Sequence, residues 1–176
     1  MSNIQLLDEF TINQIAAGEI IERPASIVKE LIENSIDARS SAITIEINDG
    51  GVAFIRVTDN GEGIDEYNAS LAFERHATSK ISSASELDNI VSLGFRGEAL
   101  ASIAAVTQME MITRPRGGVS GIHIVKHGGE TLSKDEIGCP EGTTIITRNL
   151  FFNAPARLKF LKSSRTETTH INDIVS

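Results

Sequence analysis

Between residues 24 and 57 the hydrophobic period changes once, and that change limits the fold more than any other feature of the chain. Residues 24–38 place apolar side chains at helical spacing. A helix turns about 100° per residue, so Ile27, Val28, Leu31, Ile32 and Ile36 share one half of its surface. From Ile43 the period becomes two. Ile43, Ile45 and Ile47 alternate with polar residues, Asp49-Gly50-Gly51 turns the chain, and Ala53, Ile55 and Val57 alternate again. The pattern predicts an amphipathic helix feeding a hairpin. Pro24 suits the helix's first turn, and Ala38 marks its expected end.

The remaining pattern extends this unit. Thr11-Ile12-Asn13-Gln14 fits a capping box for a short first helix, with Gly18 as its stop. Helices are expected over 66–75, 98–105 and 155–161, with a short helical patch near 86–90 in the serine-rich stretch 78–93. Strands are expected near 107–114, 121–126 and 143–149, separated by glycine-rich turns. Ile171, Ile174 and Val175 begin another helical period just before the last residue, so the chain is expected to be a piece of a longer protein. There are no internal repeats. The predicted class is α+β, a two-layer sandwich with helices on one face of a mixed, mostly antiparallel sheet.

Composition removes several functions. The 176 residues suffice for one domain with a core, and 40% hydrophobic content argues against disorder. No apolar run approaches the ~20 residues that span a bilayer, so no membrane partner is expected. Residues 1–10 lack the pattern of a secretory signal. Cys139 stands alone and His76, His123, His127 and His170 are scattered, so neither a disulfide framework nor a zinc site is expected. A reducing, cytoplasmic setting follows. The net charge of −8 disfavours the whole chain as a nucleic-acid binder. Arg148, Arg157, Lys159, Lys162 and Arg165 nevertheless make a local +5, leaving −13 on the rest. That stretch reads as a solvated helix face or as a basic DNA- or partner-binding module.

Four short segments can carry chemistry. Glu30, Asn34 and Asp37 share an arc of roughly 60° on the helix, away from its apolar half. A carboxylate there can polarise a water, and an amide oxygen can bind Mg2+; a plain solvated face is the alternative. Asp59-Asn60-Gly61-Glu62-Gly63 closes the hairpin's second strand. Its aspartate can accept from an exocyclic amino group such as adenine's, or the segment is simply a turn. Arg75-His76-Ala77-Thr78-Ser79-Lys80 offers hydroxyls and a lysine suited to polyphosphate, or is a surface loop. Gly94-Phe95-Arg96-Gly97 precedes a helix whose first N–H groups can bind phosphate, although Glu98 there also answers the helix dipole. There is no P-loop sequence and no G-x-G-x-x-G, so P-loop, Rossmann and kinase glycine-loop sites lose support.

In this order, E-x-x-x-N, D-x-G-x-G, G-x-x-G and Gly142-Thr143-Thr144 resemble the ATPase superfamily of DNA gyrase B, heat-shock chaperones and histidine kinases. Q-I-A-A at 14–17, G-E-I-I-E-R-P-A-S-I-V-K-E-L-I-E-N-S-I-D-A at 18–38, R-H-A-T-S-K-I, L-G-F-R-G-E-A-L-A-S-I and N-A-P-A-R-L-K-F-L narrow the likeness. They resemble the amino-terminal ATPase region of the MutL family of DNA mismatch repair proteins. A topoisomerase or kinase relative would not be expected to carry R-H-A-T-S-K and G-F-R-G-E-A-L together.

The resemblance implies a Bergerat-type ATP-binding fold and a Mg2+-dependent ATPase. It makes Glu30 the general base and Asn34 a Mg2+ ligand. Asp59 meets the adenine amino group, supported by Gly63 and Thr143. Thr78, Ser79 and Lys80 reach the nucleotide from a lid, and Arg96, Gly97, Glu98, Ala99 and Leu100 surround the phosphates. The expected device is nucleotide-driven lid closure and self-association, coupling a MutS-type mismatch-recognition protein to downstream repair. Residues 1–176 are then a single ATP-binding subdomain. The family continues into a second subdomain that supplies a lysine to the γ-phosphate, and into a dimerising, in some members endonucleolytic, domain. Hydrolysis by this piece is accordingly expected to be slow, with a nucleotide-binding switch as the alternative, and DNA contact is expected through the parent protein. Localisation would be cytoplasmic in a bacterium and nuclear in a eukaryote. The family usually has a small residue where Arg39 stands; it is expected just past the helix, with little effect on chemistry.

Overall fold

The computed structural model describes residues 4–74 and 98–176. The chain runs α1 (Glu9–Ile20), α2 (Pro24–Asp37), β1 (Ile43–Asn48), a 3₁₀ turn (Asp49–Gly51), β2 (Phe54–Asp59), α3 (Glu66–Leu71), α4 (Ala99–Val106), β3 (Gln108–Arg114), β4 (Gly121–His127), β5 (Glu130–Ile137), β6 (Gly142–Arg148), α5 (Pro155–Phe160) and α6 (Ser164–Val175). The strands form one sheet in the order β1-β2-β6-β3-β4-β5. All five pairings among the described residues are antiparallel, so the mixed character expected of the sheet gives way to a wholly antiparallel one.

Register builds the core in rows. Ile45, Val57, Ile145, Met111 and Ile124 lie opposite one another across five strands. Beside them run Ile47, Ile55, Thr147 and Met109. Both rows point to the helices, where Ile27, Val28, Leu31, Ile103, Ala104 and Val106 are buried against them. The other face carries Glu46, Arg56, Glu110, His123 and Arg148. Arg56 pairs with Glu46, while Arg148 and His123 both meet Glu110. This is the alternation that a sheet with one covered face requires.

Several elements depart from the sequence reading. The first helix is capped by Asp8, whose carboxylate accepts from Thr11 N at 2.7 Å, and not by Thr11. It also runs through Gly18. There Arg157 Nη2 donates to the Gly18 carbonyl at 2.7 Å, and a Cβ would sit 2.5 Å from that nitrogen, so a side chain at 18 would displace the guanidinium. On α2, Ile36 is 57% exposed, and Ser35 takes the buried position instead. The helix predicted over 66–75 is described only as Glu66–Leu71. β5 escapes a reading by period because Glu-Thr-Leu-Ser-Lys-Asp-Glu-Ile shows no alternation: it is an edge strand, largely exposed and charged, as edges that resist pairing are. α6 starts seven residues before Ile171, where its apolar period begins, and is capped by Ser163.

Past α2 the chain turns at Arg39, with φ +58°. Arg39 N donates to Ile36 O at 2.9 Å and Ser40 N to Ser35 O at 3.2 Å. These two bonds and a left-handed residue between them form a Schellman stop, a position that favours glycine. The departure at Arg39 therefore lies beyond the helix, as expected, and carries a backbone cost.

Candidate functional site

The register that builds the core also builds a polar row. Ile43, Asp59, Thr143, Thr113 and Ile122 lie opposite one another at the ends of β1, β2, β6, β3 and β4. Three adjacent members of the row, Asp59, Thr143 and Thr113, are polar where the next row, Ile45 to Ile124, is wholly apolar. Asp59, only 9% exposed, is held from three sides: Ser35 Oγ donates to Oδ2 at 2.8 Å, Gly61 N to Oδ1 at 2.9 Å and Thr143 N to Oδ1 at 3.2 Å. A carboxylate oxygen accepts about two bonds. Oδ1 is therefore filled, and Oδ2 keeps one acceptor direction.

Thr113 ties the row together. Its Oγ1 accepts from Ile64 N at 2.9 Å, stands 3.0 Å from Gly142 O and meets Thr143 Oγ1 at 2.8 Å. A hydroxyl has one proton. If that proton goes to Gly142 O, Thr143 donates to Thr113 and its own lone pairs remain open. The glycines of this corner answer close approach. Gly63 has φ +68°, and a Cβ would overlap the Arg114 carbonyl oxygen. Gly142 has φ +112°, and a Cβ would overlap the Asp59 carbonyl.

The Asp59–Gly63 segment is stitched to the end of α2. Asn60 Oδ1 accepts from Ser41 N at 2.9 Å and from Ala42 N at 3.0 Å, and Glu62 N donates to Ala38 O at 2.9 Å. The helix that bears Glu30 and Asn34 is thus fixed against the strand end that bears Asp59. Asn34 immediately precedes Ser35, the residue bonded to Asp59, and Glu30 lies one turn earlier on the same helix. Both are partly buried.

Of the site residues read from sequence, Asp59, Gly63 and Thr143 meet in this corner, with Asn34 beside it and Glu30 a turn away on α2. Glu98 stands at the N-cap position of α4 without a side-chain capping bond, and Ala99 and Leu100 begin the helix. Thr78, Ser79, Lys80, Arg96 and Gly97 lie outside the described residues. Sequence reasoning misses Ser35 and Thr113, although a signal is present. Ser35 interrupts the buried spacing Val28, Leu31, 35, and Thr113 interrupts Met109, Met111, 113. A polar residue at a core position needs a partner.

The basic stretch is only partly available to a partner. Arg148 pairs with Glu110 and lies over the Phe54 ring at 5.5 Å. Arg157 holds the end of α1 and lies over Phe151 at 5.3 Å. Asn153 Nδ2 bonds Ala105 O at 2.9 Å, at the end of α4. The Asn-Ala-Pro-Ala-Arg segment therefore staples two helix ends. Among the described residues no group of three or more His, Cys, Asp and Glu is placed to hold a metal ion, and no helix is long and apolar enough to cross a membrane.

The chain belongs to the histidine kinase-, DNA gyrase B- and HSP90-like ATPase family, whose profile matches residues 22–137. Within it, the likeness is to MutL. The chain is 55% identical over 175 residues, 99% of its length, to the DNA mismatch repair protein MutL of Agathobacter rectalis. It is 54% identical over 176 residues to that of Symbiobacterium thermophilum. These alignments take up 27% and 28% of the two relatives, so the chain spans little more than a quarter of their length. Among solved structures, the Aquifex aeolicus MutL ATPase domain complexed with ADP matches with TM-score 0.68 and 33% identity, over 89% of this chain and 54% of that one. The N-terminal domain of a DNA repair protein matches with TM-score 0.76 and 31% identity, over 93% and 47%.

Proposed function

We propose that the chain binds ATP and hydrolyses it to ADP and phosphate, as the nucleotide module of a MutL-type mismatch repair protein. The observation that carries this is Asp59: buried, held by Ser35, Gly61 and Thr143, with one direction of Oδ2 left to accept. The 6-amino group of adenine is a donor that fits it, and Thr143 offers an acceptor beside it. Family membership and the ADP complex of a structural neighbour support the same ligand.

In this reading Glu30 orients a water for in-line attack on the γ-phosphorus and takes its proton as the bond to the bridging oxygen breaks. The N–H groups at the start of α4, from Glu98 to Leu100, face the phosphates. Asn34 fits Mg2+ through its amide oxygen. A single protein oxygen suits this ion, which keeps waters and phosphate oxygens as its other ligands. When bound, Mg2+ would neutralise phosphate charge. Thr78, Ser79, Lys80, Arg96 and Gly97 join the pocket on the strength of sequence alone.

Residues 1–176 would be one ATP-binding subdomain. The matched ATPase domain of Aquifex aeolicus is nearly twice as long as the stretch shared with it, which favours a second subdomain completing the site. Self-association, contact with a MutS-type protein and contact with DNA would belong to the parent protein. Calorimetry of this chain with ATP or ADP, with and without Mg2+, tests the reading. Binding that Mg2+ strengthens and Asn34→Ala abolishes is expected; absence of binding at millimolar nucleotide refutes it. In the full-length protein, Glu30→Ala should stop hydrolysis, and unchanged turnover would remove Glu30 from its role.

A further inference from the structure

α2 begins with Pro24 at its first position but without a capping side chain or an acid to answer its dipole. Its N-cap is Arg23. A carboxylate near that positive end would be favourable, and α6 supplies one. Glu167 is 1% exposed, and neither of its carboxylate oxygens accepts a hydrogen bond from a described residue. Its charged neighbour is the guanidinium of Arg23, whose side chain is 35% exposed, with Nη1 4.0 Å from Oε1.

The packing there leaves no slack. A Cβ on Gly51 would stand 2.8 Å from Pro24 Cβ and 3.0 Å from Ile171 Cδ1. One on Gly50 would stand 2.8 Å from Ser164 O and 3.1 Å from Glu167 Cβ. The 3₁₀ turn, α6 and the first residues of α2 are therefore in direct contact. A buried charge without hydrogen bonds is a burden to stability, and a neutral side chain of the same shape is often tolerated as well or better. The ion pair alone is weak ground for keeping an acid here.

We propose that Glu167 is a positioning residue for Glu30: with Arg23 it fixes the first turn of α2 against α6, and so sets where Glu30 stands. The inference rests on the ATPase reading. Glu30 follows Arg23 by seven residues, about 10 Å along a continuous helix. A shift of the first turn reaches it undiminished, and in-line attack is sensitive to displacements of that kind.

The test is Glu167→Gln in the full-length protein, read by kcat, KM and thermal melting. Expected is a fall in kcat of roughly five- to a hundredfold, with KM within about twofold and a melting temperature unchanged or raised. Arg23→Gln should give the same loss, and the double variant should be no worse than either single one. Wild-type kcat in Glu167→Gln overturns the proposal. So does a loss of kcat accompanied by lower stability and raised KM, which marks a purely structural role. Glu30→Ala separates the two claims: if it hydrolyses like wild type, the ATPase assignment of Glu30 fails, whatever Glu167 does.

Discussion

Replacing Gly63 by alanine should break the polar corner, and the structure sets the scale. A Cβ there would overlap the Arg114 carbonyl oxygen and stand 2.5 Å from its carbon and 2.9 Å from Pro115 Cα. Carbon atoms rest at about 3.5–4.0 Å, so the two segments must part by roughly 1 Å. The left-handed φ of +68° adds about 1 kcal/mol for any residue with a Cβ, and overpacking of this kind adds about 1–3 kcal/mol. The sum is about 2–4 kcal/mol, or roughly 4–16 °C in melting temperature for a chain of this length. The first bond lost would be Ile64 N to Thr113 Oγ1, on which the orientation of Thr143 depends. Nucleotide affinity should therefore fall as well. Gly117→Ala is the control: φ is +75°, but nothing lies within 4 Å of its Cβ. It should cost only the backbone share, about 1 kcal/mol, and leave affinity alone. Thermal melts and calorimetry on both variants suffice. A Gly63→Ala protein that melts no lower than Gly117→Ala, with wild-type affinity, would refute the close-approach argument.

Two further outcomes are expected. Arg39→Gly should raise the melting temperature by about 1–4 °C, because removing the Cβ at φ +58° gains about 1 kcal/mol, while the exposed pair with Glu62 contributes at most about 0.5 kcal/mol; an unchanged or lower value in a thermal melt would contradict it. Acid should destabilise the fold through carboxyls held below their ordinary range. Burial alone would push Glu110 up, but hydrogen bonds from Arg148 and His123 outweigh it; Arg56 lowers Glu46, the Thr11 hydroxyl and N–H lower Asp8, and the backbone and side chain of Asn68 lower Asp65. Depressed carboxyls contribute stability that is present above their unfolded values near 4.3 and 3.9 and is lost as pH falls through the folded ones. Urea unfolding from pH 7 to 3 should show Glu110→Gln losing less on acidification than wild type; equal losses would exclude Glu110 as a contributor.

The elements legible in advance are those whose side chains sort themselves by local period. The hairpin β1–β2, the strands β3, β4 and β6, and helix α2 each bury an apolar face, so their periods of 2 or 3.6 stand in the letters. β5 does not, because an edge strand with polar side chains is defined by the hydrogen bonds of its neighbour. The start of α6 is hidden for a related reason: its buried residue in the early turns is Glu167, and a charge carries no hydrophobic signal. Arg157 and Gly18 are 139 residues apart, so nothing near Gly18 announces why a helix passes through it. Glu30, Asn34 and Asp59 stand out as candidates because their residue types and spacing suit nucleotide chemistry, which the resemblance implies for them. Their supports, Ser35 and Thr113, look locally like imperfect core positions.

What the sequence alone determined was the kind of element at most positions, the acid–amide pair on one helix, and the aspartate that ends a strand. These depend on side-chain chemistry and on neighbours within a few residues. Tertiary structure decided which of them meet. Strand register sets Asp59, Thr143 and Thr113 in one row, and the packing of α2 brings Ser35 to Asp59. Such contacts span 24 to 84 residues of chain, and closing loops of that length is decided by the cooperative burial of the whole core, not by any segment's own preference.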